Sequence, residues 1–399
     1  MKKMGSGRRL RAALAASLTL GTLPAGACVS AAEGQEAAVQ HDLGDTVVTA
    51  TRTPNMELKA NANITVITGR DIERRHYTDL TQALRDVPGL VINQYAPAGY
   101  NNSSKIFING SEDVVVLIDG VRQNYAGGTG ASLTSALKDL GGIDRIEVLH
   151  GSASTLYGSD AKGGVINIIT KRATGMQTTL EAAYGSFGRQ LYSITNAGGM
   201  NGWDWRLKYQ KDKSSDFKDA HGDETPSRLD ADSVSIHLGR QLSKASYLGL
   251  NFRSYKDEDR YQALYEKRQG LHQNSGNYDH FDGNLIWNVQ IDDTTKNQLV
   301  IARSKYFYSL REGTPKRYAL DVWGWKISDQ FDKKLGDHLL TAGFEFTKDE
   351  TRSPASSVLI NRSYYLQDQW RIAPEVKLTA GIRHDLQTEE RPPRGGDAA

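Results

Sequence analysis

A strand, a turn of small residues and a second strand follow one another between residues 143 and 170, and this run limits the possible folds more than any other. From Ile143 to Leu149 apolar residues alternate with charged ones, which is typical of a β-strand. Gly151 to Gly164 is rich in Gly, Ser and Ala, so its backbone can turn sharply and approach neighbouring chain closely. Val165 to Thr170 is a second, apolar strand. A soluble α/β domain with a glycine-rich turn is one fold that contains such a run.

The run is also similar to a known family. Residues 157–170 read Tyr-Gly-Ser-Asp-Ala-Lys-Gly-Gly-Val-Ile-Asn-Ile-Ile-Thr, and this sequence resembles the end of the plug domain of TonB-dependent outer-membrane receptors, in the branch of the cobalamin and siderophore receptors. Residues 79–90, Asp-Leu-Thr-Gln-Ala-Leu-Arg-Asp-Val-Pro-Gly-Leu, resemble the same domain. The resemblance implies a mixed fold class: a small α+β plug domain, here residues 53–175, followed by antiparallel transmembrane β-barrel strands.

The chain departs from the family pattern at a few positions. The family often has Arg where Asn109 stands, and it commonly has Arg and Pro where His150 and Ser152 stand. The missing arginine puts in doubt a salt bridge between plug and barrel at that point. His150 has no second histidine at ligand spacing, so we interpret it as structural.

Residues 1–32 are predicted to be a signal peptide, because a basic start and an apolar core from Ala12 to Leu23 precede the small residues Ser30-Ala31-Ala32. A lipoprotein signal ending at Cys28, the single cysteine, is the alternative. Lys and Arg together number 49 against 47 for Asp and Glu, so the charge implies no nucleic-acid partner.

Residues 33–52 are predicted to be a flexible leader that ends in a short β-prone run. That run, Asp45, Thr46, Val47, Val48, Thr49, Ala50 and Thr51, resembles the TonB box, the segment on which the energy-coupling protein TonB pulls in this family. Such a segment can bind TonB by strand addition, in which main-chain hydrogen bonds hold the two proteins together.

Two loops of the plug-like domain are the predicted ligand contacts. In the family, two such loops point outwards and touch the ligand, and aromatic rings beside amides suit a bulky amphipathic ligand. The candidate residues here are Tyr95, Tyr100, Asn101, Asn102, Asn124 and Tyr125.

Residues 176–386 change to a pattern of alternating strands, with apolar residues such as Leu248, Leu250 and Phe252 every second position. A transmembrane barrel needs an apolar outer face for contact with lipid and a polar inner face for its water-filled lumen. Short turns, as at Asn201-Gly202, alternate with longer polar stretches, which we predict to be loops. The four predicted loops are Ser214 to Ala231, Asp257 to Asn277, Leu310 to Arg317 and Glu350 to Ile360.

About 11 strands are predicted in this region, where the family has 22, and residues 387–399 are a tail that does not follow the pattern. The expectation is therefore a receptor interrupted after about half of its barrel.

Calcium is a further expectation from the resemblance. Asp216, Asp230 and Asp232 are similar to the acidic outer loops that bind calcium in cobalamin receptors, and carboxylates are suitable ligands. Solvated loop acids are the alternative. No other cofactor is predicted.

The predicted function is TonB-dependent active uptake of a scarce metal chelate, an iron-siderophore or cobalamin, across the outer membrane, with TonB, the chelate and outer-membrane lipid as partners. No nucleophile–base set and no phosphate-binding loop is present, so no enzyme activity is predicted. One alternative is a non-functional or periplasmic remnant in which only the plug folds. Another is a soluble α/β enzyme built on the strand from Val114 to Gly120, which would not explain the second half.

Overall fold

The fold combines a small N-terminal domain with one large antiparallel sheet. The computed structural model describes residues 64–77, 80–93, 105–123, 142–264, 271–312, 317–353, 355–373 and 376–390. Within these stretches no helix has both the length and the apolar character needed to cross a membrane.

The N-terminal domain is built on a five-stranded mixed sheet of order β1-β6-β7-β4-β5. Its strands are β1 (Ile64–Thr68), β2 (Leu90–Asn93), β3 (Lys105–Ile108), β4 (Val114–Ile118), β5 (Val121–Arg122), β6 (Ile143–His150) and β7 (Gly164–Thr170). Its helices are α1 (Gly69–Arg74), α2 (Leu80–Leu84) and α3 (Ser154–Tyr157). β4 and β7 are parallel, and β2 pairs with β3 apart from the main sheet.

The two faces of this small sheet pack against different partners. On one face, Ile146 and Ile166 pack with Leu80 and Leu84 of α2. On the other face, Val115, Leu117 and Val165 pack with α3 and with Tyr365 from the large sheet. The apolar run in β4 is buried along its whole length because both faces are covered.

The large sheet has eleven strands in the described part of the chain, which confirms the predicted number. Its strands are β8 (Gln177–Gly185), β9 (Arg189–Met200), β10 (Trp203–Ser214), β13 (Leu229–Ser243), β14 (Ser246–Leu264), β15 (Leu271–Asp292), β16 (Thr295–Glu312), β17 (Arg317–Leu335), β18 (His338–Ser353), β19 (Ser357–Ala373) and β20 (Val376–Glu390). Each pairs antiparallel with the strands before and after it in this order. The short β11 (Phe217–Lys218) and β12 (Glu224–Thr225) form a separate hairpin between β10 and β13.

The predicted loops are longer than the observed ones. Residues 257–277 were expected to form one loop, but β14 continues to Leu264 and β15 begins at Leu271, paired residue by residue. The last strand likewise runs to Glu390, past the predicted limit of residue 386. Backbone ladders do not depend on side-chain polarity, so a polar stretch that looks like a loop in sequence can continue a hairpin. The short turn at Asn201-Gly202 is confirmed, with φ of 53° and 76°.

The two faces of the large sheet have opposite polarity, and the polar face is the buried one. Asp204, Arg206, Lys208, Gln210 and Asp212 alternate along β10 and are each less than 9% exposed. The apolar face is exposed, with side chains that are 36% or more accessible. Examples are Leu207, Leu238, Leu250, Ile301, Ile327, Leu366 and Ile382. A sheet designed for water would show the reverse arrangement.

Candidate functional site

The polar face of the large sheet meets the N-terminal domain through charged groups from both ends of the sheet. Arg206 on β10 donates to the carbonyl oxygens of Gly142 and Lys171, at 3.0 and 3.3 Å. Gly142 has φ of +76°, and a Cβ there would lie 2.5 Å from the Arg206 guanidinium. Glycine therefore allows the arginine to reach the backbone.

Arg383 on β20 holds the opposite side of the domain. Its Nη1 donates to the carbonyl oxygen of Leu156 in α3 at 3.0 Å. Its Nε donates to Asp385 at 2.9 Å, and Nη2 lies 3.6 Å from Glu345. The side chain is only 6% exposed, so this cation is balanced by carboxylates where water is scarce.

A third contact joins the end of the domain to β14. The guanidinium of Arg172 lies 3.5 Å from the centre of the Tyr247 ring, a cation–π contact. The Tyr247 hydroxyl donates to Asp204 at 3.1 Å. Asp204 also lies 2.8 Å from His237, whose other ring nitrogen is 2.7 Å from Asn251.

A fourth group of charges lies inside the N-terminal domain near α3. Arg122 of β5 forms a close ion pair with Asp160 in the small-residue turn. Burial opposes ionisation of Asp160, but the charge and hydrogen bonds of Arg122 prevail and hold the pKa of this carboxyl below its usual value. This pair fixes the turn to the end of β5.

Between the domain and the sheet lies a cavity of about 500 Å³, lined by both polar and apolar groups. Asp119, Asn167 and Arg172 line it from the domain, and His237, Gln298 and Gln330 line it from the sheet. Val121 beside it packs on Ile286 and Val300, an apolar contact between β5 and the sheet. Polar contacts that water could replace thus hold the N-terminal domain against the large sheet. The cavity between them can admit a polar molecule.

Most of the sequence-predicted site residues lie outside the described residues. This applies to the TonB-box run, Asp45 to Thr51, and to the six ligand-contact candidates Tyr95, Tyr100, Asn101, Asn102, Asn124 and Tyr125. Those assignments stay predictions.

The three acids predicted for calcium are described, and the structure does not bring them together. Asp230 and Asp232 lie on the apolar-face side of β13, where both pair with Lys211. Asp216 instead accepts from the backbone N–H groups of Ser227 and Arg228, at 2.8 and 3.0 Å. In the described stretches no group of three or more His, Cys, Asp or Glu is placed to hold a metal ion. The calcium prediction is therefore not supported by this geometry and stays untested.

The residues that join domain and sheet were not found from the sequence. The alternating pattern could have placed Arg206 and Arg383 on the polar face. Their acceptors in the N-terminal domain lie 35, 64 and 227 positions away in the chain, and no local pattern indicates such partners.

Comparison with known proteins decides what the N-terminal domain is. Residues 57–165 match the family model of the TonB-dependent receptor plug domain. The chain carries the plug domain of TonB-dependent receptors. The predicted resemblance is confirmed for this domain.

Solved structures with a similar fold include two receptors and a copper transporter. The siderophore receptor PirA of Pseudomonas aeruginosa is 20% identical, with a TM-score of 0.61 over 83% of this chain and 57% of that one. The ferric enterobactin receptor PfeA of the same organism is 18% identical, with a TM-score of 0.67 over 82% and 58%. The copper transporter OprC is 16% identical, with a TM-score of 0.68 over 83% and 56%. The chain thus spans a little over half the length of the structures that it matches.

Proposed function

We propose that this protein is a TonB-dependent receptor that takes up a metal chelate across the outer membrane. The observation that carries the proposal is the inverted polarity of the large sheet: its polar face is buried and contacts the plug through Arg206 and Arg383, and its apolar face is exposed. An exposed face of Leu, Ile, Phe and Trp suits lipid, and a polar interior suits a hydrated path. The plug domain then lies where it would obstruct that path.

The proposed energy source is TonB, acting on the leader. Residues 45–51 precede β1, the edge strand of the plug sheet, which pairs only with β6 in that sheet. Force on the leader would therefore reach the plug through its edge strand. A β-prone run suits capture by strand addition, because the partner adds main-chain hydrogen bonds to an extended segment.

The proposed cargo is an iron-siderophore or cobalamin. PirA is a siderophore receptor and PfeA a ferric enterobactin receptor, while OprC is a copper transporter, so the fold alone serves more than one metal. The plug-loop residues Tyr95, Tyr100, Asn101, Asn102, Asn124 and Tyr125 remain the proposed contacts. Calcium bound by Asp216, Asp230 and Asp232 remains a weaker proposal, since Asp230 and Asp232 already form ion pairs with Lys211.

Uptake in a receptor-deficient, tonB-positive host tests the proposal. Cells that express the full chain are given radiolabelled ferric enterobactin, cyanocobalamin or Cu²⁺ in separate arms. We expect Val48→Pro to abolish uptake and leave surface binding intact, because proline removes one main-chain donor and restricts the strand. Val48→Thr keeps both the donor and the β-branched side chain and is the matched control.

Uptake by Val48→Pro at the unsubstituted rate would contradict the coupling role of residues 45–51. Absence of uptake and of binding for all three probes in the unsubstituted chain would contradict the transport proposal itself.

A further inference from the structure

An arginine on the apolar face of the large sheet lies between two indole rings. The Arg303 guanidinium is 4.8 Å from the ring centres of both Trp323 and Trp325. Its one hydrogen bond among the described residues is a long one, 3.5 Å, to the carbonyl oxygen of Gly324. In the same part of the chain it belongs to no ion pair. The guanidinium has five donors and contacts both rings, and within the described residues most of these donors have no protein acceptor.

Two further cations, Lys305 and Arg352, lie near the Trp323 ring. Together with Arg303 and this ring they form a group that we call the Trp323 patch. Arg352 lies 4.8 Å and the Lys305 Nζ 5.8 Å from the Trp323 ring centre. Each of these two has a carboxylate partner: Glu350 at 2.9 Å for Arg352, and Asp279 at 2.7 Å for Lys305. The patch thus has one cation more than it has paired carboxylates.

A second group of charges on the same face provides a contrast. Lys211 pairs with both Asp230 and Asp232, and Lys213 lies 3.6 Å from Asp230. Two carboxylates here match two lysines, so the group is neutral. The positive excess at Trp323 is therefore a local property and not a general one of this face.

The position of the Trp323 patch indicates the kind of ligand. Ile301 and Ile327, both exposed on the apolar face, lie on the same strands as Arg303 and Trp325, on the side of the short turns. Lys305, Trp323 and Arg352 extend from there towards the opposite end of the sheet. Cations next to an exposed apolar surface suit an amphiphile with a negative headgroup and acyl chains.

We propose that the Trp323 patch is a binding site for the phosphate groups of a membrane lipid headgroup. The inference depends on the proposed membrane location of the sheet but not on the cargo. Phosphate oxygens match the forked donors of Arg303, which can bind them in a bidentate manner. The lipid's acyl chains would cover Ile301 and Ile327, so lipid phosphate is favoured over free phosphate, which gains nothing from the apolar surface.

Native mass spectrometry of the full chain, folded in dodecyl maltoside, tests the site. The probes are bisphosphorylated lipid A, the same lipid with both phosphates removed, and inorganic phosphate. We expect saturable binding of the bisphosphorylated lipid and at least tenfold weaker binding of the other two. Arg303→Gln should weaken lipid binding about fivefold, the contribution typical of one basic residue at an anionic lipid surface.

Lys211→Gln is the matched control, because it removes the same unit of charge from the same face. It should change lipid binding less than twofold. Equal weakening by Arg303→Gln and Lys211→Gln, or equal binding of phosphorylated and dephosphorylated lipid, would overturn the inference. If Arg303→Gln loses its β-sheet circular dichroism, Arg352→Gln takes its place with the same expected direction. Failure of the unsubstituted chain to insert into phosphatidylcholine vesicles would contradict the proposed membrane location instead.

Discussion

Two glycines in the small-residue turn of the plug differ in what surrounds them. Gly164 has φ of +155°, and a Cβ built there would lie 2.2 Å from the carbonyl oxygen of Leu149, which is backbone and cannot move aside cheaply. Gly151 also has a positive φ, +92°, but a Cβ there meets nothing within 4 Å. The first position needs glycine for space and conformation, and the second for conformation only.

We therefore expect Gly164→Ala to lower the free energy of unfolding by about 3 kcal/mol or more, from overpacking together with backbone strain. Gly151→Ala should cost about 1 kcal/mol, from the left-handed conformation alone. Urea unfolding of the full chain in detergent, followed by circular dichroism, measures both. Equal costs would show that the close contact with Leu149 is not formed.

His150, at the end of β6, is expected to make the plug sensitive to acid. Burial lowers the pKa of its imidazole below the ordinary value near 6.5, and Thr65 lies 3.2 Å from Nε2. The neutral ring is thus favoured in the folded state, and its stabilising contribution is fully present above the unfolded pKa. It falls as the pH drops below about 6.5 and is lost once the pH passes the lowered folded pKa.

Urea midpoints measured between pH 7.5 and pH 5 test this sign. The midpoint should fall with acidification, and His150→Gln should remove part of that fall. His384→Gln, at an exposed position on β20, is the matched control. An unchanged pH dependence in His150→Gln would contradict the burial of this ring.

At the scale of elements, α3 is held by a strand that is distant in sequence. Arg383→Ala removes the donor to Leu156 and leaves Glu345 without this cation, so α3 should open more easily. A hydrogen bond from a charged group contributes about 1.5–3 kcal/mol, so amide exchange in residues 154–157 should rise about tenfold or more. Hydrogen–deuterium exchange by mass spectrometry measures it.

Arg371→Ala is the control for this prediction. Arg371 pairs with Asp337 at an exposed turn, where both side chains are more than 40% accessible. Exchange in α3 should stay at the unsubstituted rate in this variant. Unchanged exchange in Arg383→Ala as well would mean that Arg383 does not hold the plug.

The sequence predicts strands and helices well where the periodic spacing of apolar residues determines them. The apolar run of β4, the strands β6 and β7 and the eleven strands of the large sheet all follow from local pattern. The ends of β14 and β15 could not be predicted from the sequence. Polar residues there, such as Asp259 on β14 and Asn274 on β15, belong to a ladder of hydrogen bonds that needs only backbone groups. The roles of Arg206 and Arg383 could not be predicted either, because both depend on contacts between distant parts of the chain.

At the scale of the whole molecule, the buried polar face explains how plug and sheet depend on each other. Carboxylates, amides and guanidinium groups on the large sheet are costly to bury without partners. The plug supplies some of those partners, including the carbonyl oxygens of Gly142, Leu156 and Lys171. The same face would hydrate readily if the plug moved, since water can replace each of these hydrogen bonds.

The small-residue turn of the plug lies on the polar face of the large sheet, and an engineered disulfide between the two tests this placement. A Cβ built at Gly381 lies 2.5 Å from Thr155 Cγ2, so Thr155→Cys with Gly381→Cys places two Cβ atoms within the reach of a disulfide. The pair is made in a Cys28→Ser background, which removes the single native cysteine. We expect near-complete crosslinking of this pair on mild oxidation, seen as a shift on non-reducing gels. Thr155→Cys with Ala380→Cys, whose side chain points to the apolar face, should not crosslink. Absence of a disulfide between positions 155 and 381, or equal crosslinking between positions 155 and 380, would contradict the placement of this turn on the polar face.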